Sequence, residues 1–247
     1  MIREYLSIWK SIFLSPKTAI PAECRRKAGI KEGILHIVLA GTLYFLAMVF
    51  VLVAVGALIV LFASAIIASL NLPDIKLFDL SAFGAFGLAI VLLYIILLYA
   101  FIQFFLIFLS FLANGLYYIT AKALGGKGDF SRQFYVICAQ SSGELIIEKF
   151  GGFVLLPFMF IPCIGAIFSL IYTGFALGFF FYSGYLKIKI IQQVHSIDQT
   201  RAIICWAVPV VLAVLFIVII FIAYWTVILG AISSSAARPL PAPTGPF

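Results

Sequence analysis

Two long apolar runs precede residue 125 and two more follow residue 160, and a soluble fold has no way to hide that much apolar surface. Ile34–Leu70 is broken only by His36 near its start, Thr42 and small residues, whereas about 20 apolar residues suffice to cross a bilayer. Hydrophobic residues make up 65% of the 247 and charged residues 10%, against about 45–50% and about 25% in soluble domains. The solvent for most of this chain is therefore lipid. The net charge of +7 does not point to nucleic acid, because the charges cluster at the ends of apolar runs and not on a groove-reading element.

The spacing predicts an all-α, polytopic membrane bundle of five transmembrane helices plus a short N-terminal amphipathic helix. In Met1–Phe13, Ile2, Tyr5, Leu6, Trp9, Ile12 and Phe13 recur at helical spacing, opposite Arg3, Ser7, Lys10 and Ser11. This is the pattern of a helix lying in the membrane interface. It lacks the continuous apolar core and small-residue cleavage site of a signal peptide. Pro16 is expected to end it, and Lys17–Gly33 reads as a short polar segment. Residues 1–33 form the basic N-terminal region, 34–231 the membrane domain and 232–247 a Pro-rich tail expected to be disordered.

The expected spans are Ile34–Leu70, Ala82–Leu112 continuing as helix to Ala123, Ser131–Phe160, Ala166–Tyr185 and Ala202–Leu229. The turn Asn71–Asp79 joins the first two, Gly125–Gly128 breaks the second, and Pro162 and Gly165 end the third. Gly151, Gly152 and Pro157 are expected to distort the third span, and Pro209 to kink the fifth. Gly174 and Gly178 form a GxxxG spacing that lets another helix approach closely. Lys187–Arg201 reads as a polar connector, with His195 solvated, and His36 reads as an interfacial residue at the start of the first span. Trp206, Tyr224 and Trp225 are interfacial anchors.

Charge sets the orientation. With the N-terminus in the cytoplasm, the inner segments hold thirteen basic residues: seven from Arg3 to Lys31, then Lys122, Lys127 and Arg132, then Lys187, Lys189 and Arg201. Only Lys76 and Arg238 lie outside. The positive-inside rule thus favours five spans, with the C-terminus outside. If Ser131–Phe160 merely dips in and returns, the last inner group moves outside and the bias weakens. The membrane is read as the cell membrane. Arg25, Arg26, Lys27, Lys31, Lys187 and Lys189 are the expected contacts to anionic lipid head groups.

The third span carries the polar side chains that need explaining. Gln140, Glu144 and Glu148 are spaced to share one helix face, with Gln133 and Ser141 close by and Lys149 about 100° away, expecting a partner on another helix. Each charge in lipid costs a few kcal/mol. One reading makes Gln140, Glu144, Glu148 and Lys149 an ion- or proton-conducting site. The other lets Glu148 and Lys149 snorkel to the outer head groups, leaving Glu144 alone at depth.

Catalytic patterns fail on inspection. Gly126-Lys127-Gly128-Asp129 spells the GxGD of intramembrane aspartyl proteases, but that chemistry needs a second aspartate sharing a proton. Asp74 and Asp79 fall on the other face, and Asp198 sits in the connector. Ser141 and Ser142 have no histidine on an adjacent stretch. The cysteines Cys24, Cys138, Cys163 and Cys205 are too widely spaced for a metal knuckle. No catalytic, cofactor or metal residue is assigned.

Trp9 followed by Pro16, Gly125-Gly126-Lys127-Gly128-Asp129-Phe130 after the second span, and Val194-His195-Ser196-Ile197-Asp198-Gln199-Thr200-Arg201-Ala202 before the last together give the chain a resemblance. It resembles the Yip (Ypt-interacting protein) domain family of five-span membrane proteins, from about Ser11 to Gly230. The resemblance implies a non-enzymatic membrane protein. Eukaryotic members are associated with Rab-type GTPases, vesicle budding and Golgi membrane organisation. This chain departs from them in its short N-terminal region and in having Ser142-Gly143 where a proline is common. It looks more like the compact prokaryotic branch, which argues against a GTPase partner. The expected role is membrane organisation or trafficking-like binding of lipid, of membrane-protein partners or of further copies of the chain. The alternative is a small ion- or proton-coupled transporter or channel using Glu144.

Overall fold

The computed structural model describes residues 2–69, 80–159 and 164–236. Among these the chain forms seven helices: α1 (Ile2–Leu14), α2 (Pro16–Arg25), α3 (Ile30–Ser69), α4 (Leu80–Ala123), α5 (Phe130–Met159), α6 (Gly165–His195) and α7 (Gln199–Ala236). No strand occurs among the described residues. The expected turns at Asn71–Asp79 and Pro162, and the tail beyond Ala236, lie outside them.

Four helical segments are long and apolar enough to cross a membrane: Ile30–Leu58, Ile90–Ala123, Gly165–His195 and Gln199–Leu229. By length and composition the chain is a multi-pass helical membrane protein. Helix α5 is not among the four, since Arg132, Glu144, Glu148 and Lys149 interrupt its apolar character. Helices α3 and α4 have 40 and 44 residues, about 60 and 66 Å. Either is long enough to project well beyond a hydrocarbon core of about 30 Å.

Several sequence expectations change. Pro16 does separate two helices, but it also starts one: it occupies the first turn of α2, where its missing N–H costs nothing. Lys17–Gly33 is therefore mostly helical. The connector Lys187–Arg201 does not exist as such, because α6 continues to His195 and α7 begins at Gln199. Leu186, Ile190, Ile191 and Val194 keep an apolar helical face through it, and all four are buried. Helix α5 runs unbroken past Gly151 and Gly152, which instead admit the Phe175 and Tyr172 rings. The start of the expected tail, Ser233–Ala236, is helical.

Helix α5 is the centre of the arrangement and touches α1, α2, α3, α4 and α6. It lies antiparallel to α6 in steady register. Gln133 meets His195 at one end, Gln140 meets Ser183 further along, and Phe158 stacks on Phe168 at the other. That contact persists over about 38 Å of α5.

Burial is concentrated at one end of the bundle. It covers Gly33–Phe45 of α3, Asn114–Ala121 of α4, Gln133–Gly143 of α5, Ser183–His195 of α6 and Ala202–Pro209 of α7. Away from that end the helices present exposed apolar side chains such as Phe62, Tyr94, Leu170 and Phe216, which is what lipid contact requires.

The two short helices close the packed end. Ile8, Trp9, Ile12 and Phe13 of α1 are buried, while Ile2 and Leu6 remain exposed. The amphipathic face is thus shared: one side packs on the bundle, and the other is left outward. Helix α1 crosses α5 at Gly143, where an added Cβ would stand 2.8 Å from Phe13 Cε2 and 3.1 Å from Trp9 Cβ. The Tyr182 hydroxyl donates to the Phe13 carbonyl at 2.5 Å, capping the end of α1.

The glycines that matter are not the ones the GxxxG spacing suggested. Gly174 and Gly178 have nothing within 4 Å. At Gly33 an added Cβ would lie 2.7 Å from Phe134 Cδ1 and 3.3 Å from the Tyr135 backbone, so α3 and α5 meet there nearly backbone to backbone. Gly33→Val is expected to destabilise the protein by about 1–3 kcal/mol, and Gly178→Ala to leave it unchanged or slightly more stable. Thermal unfolding of both variants in detergent tests the contrast.

Candidate functional site

Two polar clusters sit inside the packed end. The first ties the N-terminal helices to the bundle. Trp9 Nε1 donates to His36 Nδ1 at 2.8 Å, so His36 carries any neutral-ring proton on Nε2. The His36 ring is 1% exposed and lies against Tyr5 and Tyr135. The Tyr135 hydroxyl donates to Glu23 Oε2 at 2.6 Å. Arg26 then bridges Glu23 and, at 2.7 Å, Glu4. The hydrogen bond and charge of Arg26 hold the Glu4 carboxyl below its usual range, and Glu4 holds Arg26 protonated well above its own. Both are open to water, so this outer link contributes little; Trp9–His36 and Tyr135–Glu23 are the anchors. His36 is therefore a buried joint between α1, α3 and α5.

The second cluster lies around α5. The fully buried Gln133 donates through Nε2 to the Asn114 carbonyl at 2.9 Å. Its Oε1 must then accept, and His195 Nε2 donates to it at 2.6 Å. His195 is 0% exposed, contrary to its expected place in a solvated loop. The reason is the glycine turn. At Gly126 an added Cβ would stand 3.0 Å from His195 Nδ1, and at Gly128 2.5 Å from the Val194 carbonyl. The turn lies flush over the end of α6, and the Lys127 N–H donates to the His195 carbonyl. Ser196 turns the chain with φ 53°, and Arg201 reaches back to the Leu124 carbonyl at 3.0 Å. The Gly125–Phe130 and Val194–Ala202 segments, remote in sequence, are thus one structural unit.

The two aspartates of that unit are helix caps. Asp129 Oδ2 accepts from the Arg132 N–H at 3.2 Å, and Asp198 Oδ1 from the Arg201 N–H at 2.9 Å. Each satisfies a backbone donor left over at a helix start.

Deeper along α5, Gln140 is buried and donates to both Ser183 Oγ, at 2.9 Å, and Glu144 Oε2, at 3.2 Å. Glu144 also pairs with Lys187 of α6 at 2.9 Å, and both side chains are less than one-fifth exposed. Lys187 thus supplies the partner that a carboxylate at this depth requires. Glu148 pairs with Lys149, its chain neighbour, at 2.8 Å, not with another helix as expected. Two long side chains can fold back across the angle that separates them. Gln140 and Glu144 are brought together; Glu148 and Lys149 form a separate pair.

Of the expected lipid contacts, Arg26 and Lys187 are engaged with carboxylates. Arg25, Lys27 and Lys31 are exposed. Lys189 lies 3.3 Å from Gln192 Oε1 and over the Tyr185 ring. Beside the second cluster is a cavity of about 170 Å³ between α4 and α5, lined by Ser110, Asn114, Tyr117, Ser141 and Lys187 among others. Asn114 Oδ1, buried and without a protein partner, suits a bound water there.

Comparison with protein-family models, with curated proteins and with solved structures returned no match.

The ion pair makes a sharp prediction. Removing one partner strands a partly buried charge, so Glu144→Gln or Lys187→Met alone should each cost about 3 kcal/mol. The double variant should recover much of that loss. A double-mutant cycle by denaturation in detergent reads the coupling; additive losses would show that the pair is not coupled.

Proposed function

We infer that the chain is a five-span, non-enzymatic integral membrane protein of the Yip-domain type, acting in membrane organisation through lipid and partner contacts. The observation that carries this reading is the seating of the glycine turn 125–130 on the His195–Ala202 turn. Those are two of the segments on which the resemblance rests, and their mutual packing gives both a common structural reason. The non-enzymatic reading draws support from how the reactive side chains are used. Asp129 and Asp198 cap helices, His36 and His195 are bonded inside the core, and Glu144 is neutralised by Lys187.

Five spans are favoured over four by the register of α5. A helix that stays against α6 over about 38 Å goes where α6 goes. Gln133, Gln140 and Glu144 find their partners on α4 and α6, which lowers the cost of placing them in lipid. The N-terminus and the basic segments then lie in the cytoplasm and the C-terminus outside.

Cysteine labelling of intact cells tests the topology. Cys24, Cys138 and Cys205 are buried, and burial pushes the Cys24 thiol up to about 12, so they form a silent background once Cys163 is replaced by Ser. Lys76→Cys is expected to react with an impermeant maleimide from outside. Lys127→Cys and Thr200→Cys are expected to react only after permeabilisation. Outside labelling of Thr200→Cys would reduce the count to four.

Transport through Glu144 is the competing function. Reconstituted in vesicles, the chain is expected to carry no ion flux that Glu144→Gln removes. A flux lost with that substitution, in protein that remains folded, would replace the present reading.

A further inference from the structure

A groove of about 510 Å³ runs between α2 and the packed end of α6. Its lining has two characters. Ile20, Pro21 and Ile197 give it an apolar floor, and Lys17, Lys189 and Gln193 give it a polar, cationic rim. No carboxylate lines it. The carboxylates on the neighbouring elements are committed elsewhere: Glu23 to Tyr135 and Arg26, Glu144 to Lys187, Asp198 to the start of α7. Lys17 and Lys189, on two different helices, thus have no carboxylate partner among the described residues; Lys189 meets only the neutral Gln192 amide and the Tyr185 ring.

The helices that present them are held in place independently. Helix α2 is anchored to α5 by Tyr135–Glu23, and α1 is capped by Tyr182 of α6. The two cations therefore face one groove without having to be gathered when a ligand arrives, which reduces the ordering cost of binding. Tyr185, half out of the bundle on the same groove, is the kind of side chain that sits at head-group level.

We propose that this groove binds the head group of an anionic glycerophospholipid, with the phosphodiester between Lys17 and Lys189 and the glycerol region on the Ile20–Ile197 floor. Basic pockets between helices at a membrane surface are suited to such head groups. The apolar floor distinguishes this ligand from free phosphate, which has nothing to place there. The inference rests on the membrane reading above and adds to it a defined lipid site.

Full-length protein in nanodiscs of phosphatidylcholine mixed with phosphatidylglycerol, examined by native mass spectrometry, tests the site. Wild type is expected to retain one phosphatidylglycerol in preference to phosphatidylcholine. Lys17→Gln/Lys189→Gln is expected to weaken that retention about tenfold or more. Lys27→Gln/Lys31→Gln, which removes the same charge from the exposed segment, is expected to leave it intact. Equal losses in both pairs would overturn the proposal in favour of diffuse attraction. So would the absence of any preference, or displacement of the lipid by inorganic phosphate. A photoreactive phosphatidylglycerol gives a readout that needs no variant: in wild type its crosslinks should map to α2 and residues 185–197, and crosslinks confined elsewhere would refute the site. A chain that resists carbonate extraction yet shows no lipid preference fails this inference alone; a chain released by carbonate fails the membrane reading itself.

Discussion

A buried amide or carboxylate in an apolar medium must find its partner inside the protein. Helix α5 imposes that demand on all its neighbours. Gln133 draws in the Asn114 carbonyl of α4 and His195 of α6. Gln140 and Glu144 draw in Ser183 and Lys187. Tyr135 draws in Glu23 of α2. The outer helices are so uniformly apolar that lipid would satisfy them almost as well as each other, since lipid supplies no hydrophobic drive for helix association. Polar pairing fixes which helix sits beside α5 and at what height. Close glycine contacts at Gly33 and Gly143 then fix how near.

Much of this was legible in the sequence, for a plain reason. Length and apolarity alone define a membrane helix, and the starts of α3 and α7 and the stop of α4 are close to the expected ones. The glycine turn was legible too, because four residues with three glycines cannot continue a helix. What escaped was pairing. The polar residues clustered around Lys187 and His195 suggest a connector, with His195 solvated and Lys187 at lipid head groups. The apolar face of Leu186, Ile190 and Val194 was the signal that the helix went on. Lys187 could be matched to Glu144 only once α5 and α6 were known to lie antiparallel, and that is information about space, not about spacing.

The N-terminal helix shows the same limit. Its amphipathic pattern was plain, but an apolar face does not say what covers it. Trp9 and Phe13 cover Gly143 of α5. A small residue there gives α1 a seat. Residue by residue, the candidate lipid contacts divide the same way: Arg26 and Lys187 pair with carboxylates, Lys189 lies partly buried on the α2–α6 groove, and Arg25, Lys27 and Lys31 face outward.

The concentration of burial at one end has a consequence for how such a chain can change over time. Lipid barely distinguishes leucine from valine or phenylalanine at positions such as Phe62, Leu170 or Phe216. Substitutions among apolar residues there meet no neighbour that objects. At Gly33, Gln133, Gly143 and His195 a single atom more or less is felt by two or three helices. Descendants of this sequence can drift until their spans share little beyond apolarity. Their common ancestry would remain written in the short polar and glycine segments of the packed end.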